Sequence, residues 1–143
     1  MTSHISAAML RAVRERARHI CEYCRLDQES QEATFHIDHI EPRVNGGLTV
    51  LDNLALACVS CSLRKGYRNK YRDPWTGRRV RLFHPRRDNW DDHFIFTPRW
   101  QIRGRTPIGR ATTAALDMNR IGIVAIRTEL AAVGRFPPPQ AQV

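Results

Sequence analysis

Lysine is all but missing from this 143-residue chain, where Lys65 and Lys70 are the only two among 23 basic residues. The formal charge of +9, set against 14 acidic residues, is therefore carried almost wholly by arginine. A planar guanidinium suits phosphate oxygens, and a basic field draws in nucleic acid in a salt-dependent way, so the composition points to a polyanionic partner. Net charge also keeps proteins soluble, which is the bland alternative. Long apolar runs are missing too: none approaches the ~20 residues of a membrane span. The basic start, residues 1–19, has no uninterrupted apolar stretch of the signal-peptide kind. The expectation is a cytoplasmic protein with no membrane partner. There is no internal repeat, and the length suits one ordinary domain small enough to benefit from a staple.

Cysteine is scarce, but its placement is informative. The four residues fall in two Cys-x-x-Cys pairs, Cys21/Cys24 and Cys58/Cys61. Two turn-forming pairs of thiolates predict a closed tetrahedral zinc site that stabilises the fold and does no chemistry, because four thiolates leave no position for water or substrate. A disulfide or redox pair is the alternative, disfavoured by the absence of a βαβ pattern. The 33 residues between the pairs exceed the usual spacer of roughly 15 to 20 by about the size of an inserted β-hairpin.

Along the chain, Ser6 caps a predicted amphipathic helix to about His19, with Leu10, Val13, Ala17 and Ile20 on one face. Residues 25–33 read as a loop, 34–40 as a strand closed by Pro42, and Asn45-Gly46-Gly47 as a tight loop. Leu54 to Cys58 is the return strand and Ser60 to about Tyr67 a helix. Residues 66–87 interleave arginines with Tyr67, Tyr71, Trp75 and Phe83, a pattern that suits a nucleic-acid groove, although Trp75 and Phe83 are equally well read as core. A turn at residues 73–77 leads to a strand over 80–83, residues 89–102 form a hairpin, and Thr106-Pro107 opens a helix through Met118. A last helix spans about Asn119 to Val133, Gly134 ends it, and Phe136 begins a proline-rich tail expected to be disordered. The expected organisation is a single domain over 1–136, with a motif core at 21–66 and an extension at 67–136, followed by a tail at 137–143.

The order Asp38-His39, Pro42, Gly46-Gly47, Asp52-Asn53-Leu54 and Cys58-x-x-Cys61 resembles the HNH endonucleases. The resemblance implies an α+β fold: a ββα-metal core stapled by the four-cysteine zinc site, with flanking helices and a small C-terminal hairpin plus helices. It implies hydrolysis of DNA phosphodiesters, with RNA the weaker alternative. By that resemblance His39 matches the general base, Asp38 the carboxylate that holds a catalytic Mg²⁺ or Mn²⁺, and Asn53 the asparagine that braces the loop. Neutral imidazole suits a base at physiological pH.

The departure is at Ser62, where the family normally has His or Asn as a second metal ligand. A shorter hydroxyl implies weaker binding of the cation. His36, two residues before Asp38 on the same strand face, is a possible substitute ligand, with substrate contact or plain strand surface as the alternatives. Arg64, Lys65, Arg68, Arg78 and Arg79 are placed to meet phosphates. The rival expectation is a zinc-stapled nucleic-acid-binding module whose nuclease has faded. His84, Asp91, Asp92 and His93 match no metal spacing and read as loop polarity.

Overall fold

The computed structural model describes residues 4–138. Ser6 accepts a hydrogen bond from the Met9 N–H (3.1 Å) and starts α1, Ala7–Arg16. The helix buries Val13 and packs on the second strand of the chain. Arg16, on its far end, does not face solvent as a free charge: its guanidinium donates to the Leu51 and Leu54 carbonyls at 3.0 and 2.6 Å. Arg18 and His19 then adopt positive φ (56° and 61°), which swings the chain into the Cys21–Cys24 turn.

Strand β1, His36–His39, pairs antiparallel with β2, Leu54–Ala57, so that His36 lies opposite Ala57 and His39 opposite Leu54. Both strands are shorter than the alternation suggested, and β2 is buried along its whole length. Helix α2, Val59–Lys65, follows at once, capped by the Cys58 sulfur, which accepts from the Cys61 N–H. The first cysteine turn is laced onto the same strand. The Glu22 N–H donates to the Leu56 carbonyl and the Leu56 N–H to the Glu22 carboxylate, both at 2.8 Å. Arg86 in turn binds Glu22.

Two further two-stranded antiparallel sheets complete the fold. In the first, β3 (Lys70–Arg72) pairs with β4 (Arg79–Arg81). The strand expected over 80–83 thus ends early, because the Phe83 N–H turns away to the Thr112 hydroxyl and its ring enters the core. The plain hairpin expected over 89–102 is also corrected. A short helix α3, Trp90–His93, precedes β5 (Phe94–Phe96) and its partner β6 (Ile102–Gly104). Asp91 and Asp92 in the first turn favour a helix start there. Thr106 caps α4, Pro107–Ala115, and α5 spans Ile121–Ala132.

One hydrophobic cluster runs from Val13 through Tyr23, Leu54 and Leu56 to Phe83, Trp90, Phe94, Leu116 and Phe136. Phe136 is no part of a loose tail: it meets Phe96 and Trp100 edge-on at 5.2 and 5.7 Å between ring centres, and Pro138 is buried behind it. The rest of the expected disordered segment, 139–143, lies outside the described residues. Among the described residues no helix is long and apolar enough to cross a membrane. The whole is a mixture of helices and small antiparallel sheets around a four-cysteine cluster.

Candidate functional site

The two cysteine turns meet because one precedes the loop into β1 and the other follows β2, and the hairpin brings its ends together. The four sulfurs lie within 4.8 Å of one another, are all buried and form no disulfide. Cys24 and Cys58 approach to 3.7 Å. A tetrahedral zinc with bonds near 2.3 Å sets neighbouring sulfurs about 3.8 Å apart, so the spacing fits that ion. Hydrogen bonding with Cys21 pushes the Cys24 and Cys61 thiols up while it pulls Cys58 down. Four thiolates around Zn²⁺ carry two net negative charges. Arg127, fully buried on α5, lies where Cys24, Cys61 and Cys58 offset part of its burial cost. Among the described residues its Nη1 is one of two buried polar side-chain atoms without a hydrogen-bond partner. Sequence reading missed Arg127, although a lone cation in IGIVAIRTEL was the signal.

On the same hairpin and helix, an open hollow of about 700 Å³ is lined by Asp38, His39, Arg43, Ser62 and Tyr67. His39 closes β1, and its Nε2 sits 2.9 Å from the Thr49 hydroxyl. Partial burial lowers its pKa, Asp38 pulls the other way, and Arg43 and Lys65 add to the lowering. The imidazole is therefore neutral at neutral pH and fit to accept a proton.

Asn53 holds the loop over this hollow. Its Oδ1 accepts from the Glu41 N–H (2.8 Å), and its Nδ2 donates to the Glu41 and Leu48 carbonyls (3.1 and 2.9 Å). Gly47 is required where the loop folds back on the Glu41 backbone: a Cβ there would stand 1.8 Å from the Glu41 carbonyl oxygen.

The Asp38 carboxylate reaches the hollow and is engaged by protein partners. It is 8% exposed and accepts a 2.7 Å hydrogen bond from Tyr23, a residue of the first cysteine turn. Lys65 Nζ reaches its two oxygens at 3.3 and 3.2 Å. Burial raises the carboxyl's pKa, against the pull of Lys65 and Tyr23. Lys65 itself is 1% exposed and also donates to the His39 and Ile40 carbonyls, both at 3.1 Å. It is therefore withdrawn from the set expected to meet phosphates, and it braces β1 instead.

Ser62 and His36 do come together, Oγ to Nδ1 at 2.9 Å. Asp38 is paired with Lys65, while Ser62 and His36 are bonded to each other. Among the described residues the four cysteines are the only group of three or more His, Cys, Asp or Glu side chains placed to share an ion. Of the expected phosphate contacts, Arg64 meets Asp117 at 3.5 Å, while Arg68, Arg78 and Arg79 form no ion pair among the described residues. In the cluster read as loop polarity, His93 Nδ1 bonds the Thr106 hydroxyl at 2.6 Å.

The class defined by these features is a mixed α and β domain with four cysteines placed to hold a metal ion and a histidine-lined hollow on the same hairpin. A family model described as HNH endonuclease matches residues 21–68, which carry both cysteine pairs, His39 and Asn53. The resemblance drawn from the motif is borne out over that segment. Neither the curated proteins nor the solved structures that were searched contain a match.

Proposed function

We propose that this chain is an HNH-type endonuclease hydrolysing phosphodiester bonds, with DNA as the first substrate and His39 as the general base. The supporting observation is His39 itself, half-buried at the wall of an open hollow, held by Thr49 and kept neutral by burial. In this reading β1, β2 and α2 are the ββα-metal core, and Zn²⁺ resides in the four cysteines as a structural ion. Residues 4–136 act as one domain.

His39 takes a proton from water as the water oxygen bonds to phosphorus. The bond to the 3′ oxygen breaks, and the departing oxygen takes a proton from a solvent water, leaving a 5′-phosphate and a 3′-hydroxyl. Asn53 keeps the loop clear of the attacking water, and Arg68, Arg78 and Arg79 hold neighbouring phosphates. A divalent cation, when bound, neutralises charge on the phosphorane and the departing oxygen. Because Lys65 already balances Asp38, Mg²⁺ or Mn²⁺ enters as a variable of the test and no step is routed through it.

The Asp38–Lys65 pair, with Ser62 at the third motif position, favours a second reading: a zinc-stapled nucleic-acid-binding module that does not cut. Supercoiled plasmid incubated with purified protein in Mg²⁺, Mn²⁺ or EDTA separates the two. Nicking or linearisation is the expected result. Retarded but intact plasmid in every lane establishes the binding module.

A further inference from the structure

The β3–β4 hairpin carries an indole that the core does not use. Trp75 is 78% exposed at its tip, whereas Phe83, which the sequence made its equal, is buried. The exposure is built and not incidental. The Arg110 guanidinium lies 4.3 Å from the centre of the Trp75 ring, covering one face. Arg110 is itself clamped by fully buried Asp73, Nε to Oδ1 at 2.9 Å and Nη2 to Oδ2 at 3.0 Å. Asp73 also accepts from the Trp75 N–H (3.1 Å) and the Thr76 hydroxyl (2.9 Å), so one carboxylate fixes both the turn and the cation behind the ring. An indole held in this way presents a flat, rigid face to solvent, and little rotamer freedom is lost when a second ring stacks on it.

Two hollows flank the tip. One, of about 440 Å³, lies between Trp75, Ile102, Arg103 and Arg110. The other, of about 580 Å³, is a trough of Arg68, Lys70, Arg72 and Arg79 around Tyr71, with no acid among its lining residues. They share Pro74 and Ala114, so the trough opens directly towards the indole. Asp117, the acid on the smaller hollow's rim, is paired with Arg64.

We propose that Trp75 is a stacking platform for an unpaired nucleobase, with the backbone of the same nucleic-acid strand running along the Arg68–Lys70–Arg72–Arg79 trough. The proposal rests on the nucleic-acid reading above and adds a ligand class to it: a strand with at least one base out of the helix. Every base offers a π face and the cations read only phosphate, so recognition is of single-strandedness and not of sequence.

The test compares wild type, Trp75→Ala and Trp75→Phe for binding to an oligonucleotide as single-stranded DNA, as fully paired duplex, and as duplex with a central bulged base. Melting temperature and zinc content confirm that each variant is folded. Trp75→Ala should weaken single-stranded and bulged ligands roughly tenfold and leave paired duplex within about twofold, with Trp75→Phe in between. Single-stranded ligand should quench tryptophan emission in wild type and not in Trp75→Phe. Unchanged binding of all ligands by Trp75→Ala, or equal loss on paired duplex, overturns the platform while the nucleic-acid reading stands. No binding of any ligand by wild type removes both. Single-stranded RNA run alongside tests the sugar: an equal Trp75 effect supports base stacking, and retention of RNA by Trp75→Ala overturns it.

Discussion

The cysteine cluster and the His39 hollow are built on the same two strands, yet one is a finished set of donors and the other is not. Around the cysteines the four sulfurs lie within 4.8 Å of one another, with Cys24 and Cys58 at 3.7 Å, and buried Arg127 lies near them. In the hollow the one carboxylate is held by Lys65 and Tyr23, and His36 and Ser62 bond each other. A metal that folds a protein needs its ligands converged in the native state. The hollow keeps an open side, and its wall carries the His39 imidazole, which burial holds below its ordinary pKa. Tyr23 links the two: it belongs to the first cysteine turn and its hydroxyl fixes Asp38 on β1. Loss of the buried ion should therefore disorder the hollow, whereas loss of His39 should leave the ion in place.

The largest expected effect lies on the cysteine side of that contrast. Cys58→Ala, or chelation, should remove the ion and unfold the hairpin together, because structural zinc is worth on the order of 10 kcal/mol in small zinc-dependent folds. Metal analysis beside circular dichroism checks it. A folded variant without zinc, or a disulfide in place of the ion, would undo the assignment.

Next comes Lys65→Met, which strands a buried carboxylate. Removing one partner of a buried ion pair costs about 3 to 5 kcal/mol, readable in denaturant melts. Asp38 of the variant then faces the hollow unpaired, so added Mn²⁺ should raise the variant's melting temperature more than wild type's. Equal responses would show that Asp38 offers nothing to a cation even when freed.

Tyr23→Phe should have the smallest effect. The lost hydrogen bond to a buried charged group is worth about 1.5 to 3 kcal/mol. Zinc content should stay at wild-type level while any cleavage rate falls, since only the link between the two regions is cut. A variant that loses zinc as readily as Cys58→Ala would place Tyr23 in the metal site proper.

These differences track what the sequence made legible. Two Cys-x-x-Cys pairs announce their geometry because local spacing alone forms the turns, and Ser6 and Thr106-Pro107 mark helix starts by local hydrogen bonding. Asn53 was legible in its bracing of the loop because both partners, Glu41 and Leu48, lie within the motif. Lys65 was misread for the opposite reason. A lysine in the last turn of a short helix ordinarily faces solvent, and nothing local shows that Asp38, 27 positions earlier, awaits it beneath β1. Phe136 looked like the start of a loose tail because the rings that receive it, Phe96 and Trp100, lie on a distant hairpin. Trp75 and Phe83 share one cationic, aromatic stretch, and only their places in the fold, one at the hairpin's tip and the other beyond its end against Thr112, separate the exposed ring from the buried one.

The most direct measurement is the pH dependence of single-turnover plasmid cleavage by wild type and His39→Ala. A base must be unprotonated to act, and burial holds His39 below its ordinary value. The wild-type rate should therefore rise with pH to a plateau, with its midpoint below about pH 6.5, the unperturbed histidine pKa. His39→Ala should be slower by about 10² to 10⁴, lose that inflection, and still retard plasmid and retain zinc. Cleavage by His39→Ala at the wild-type rate, with the same pH profile, would contradict the account.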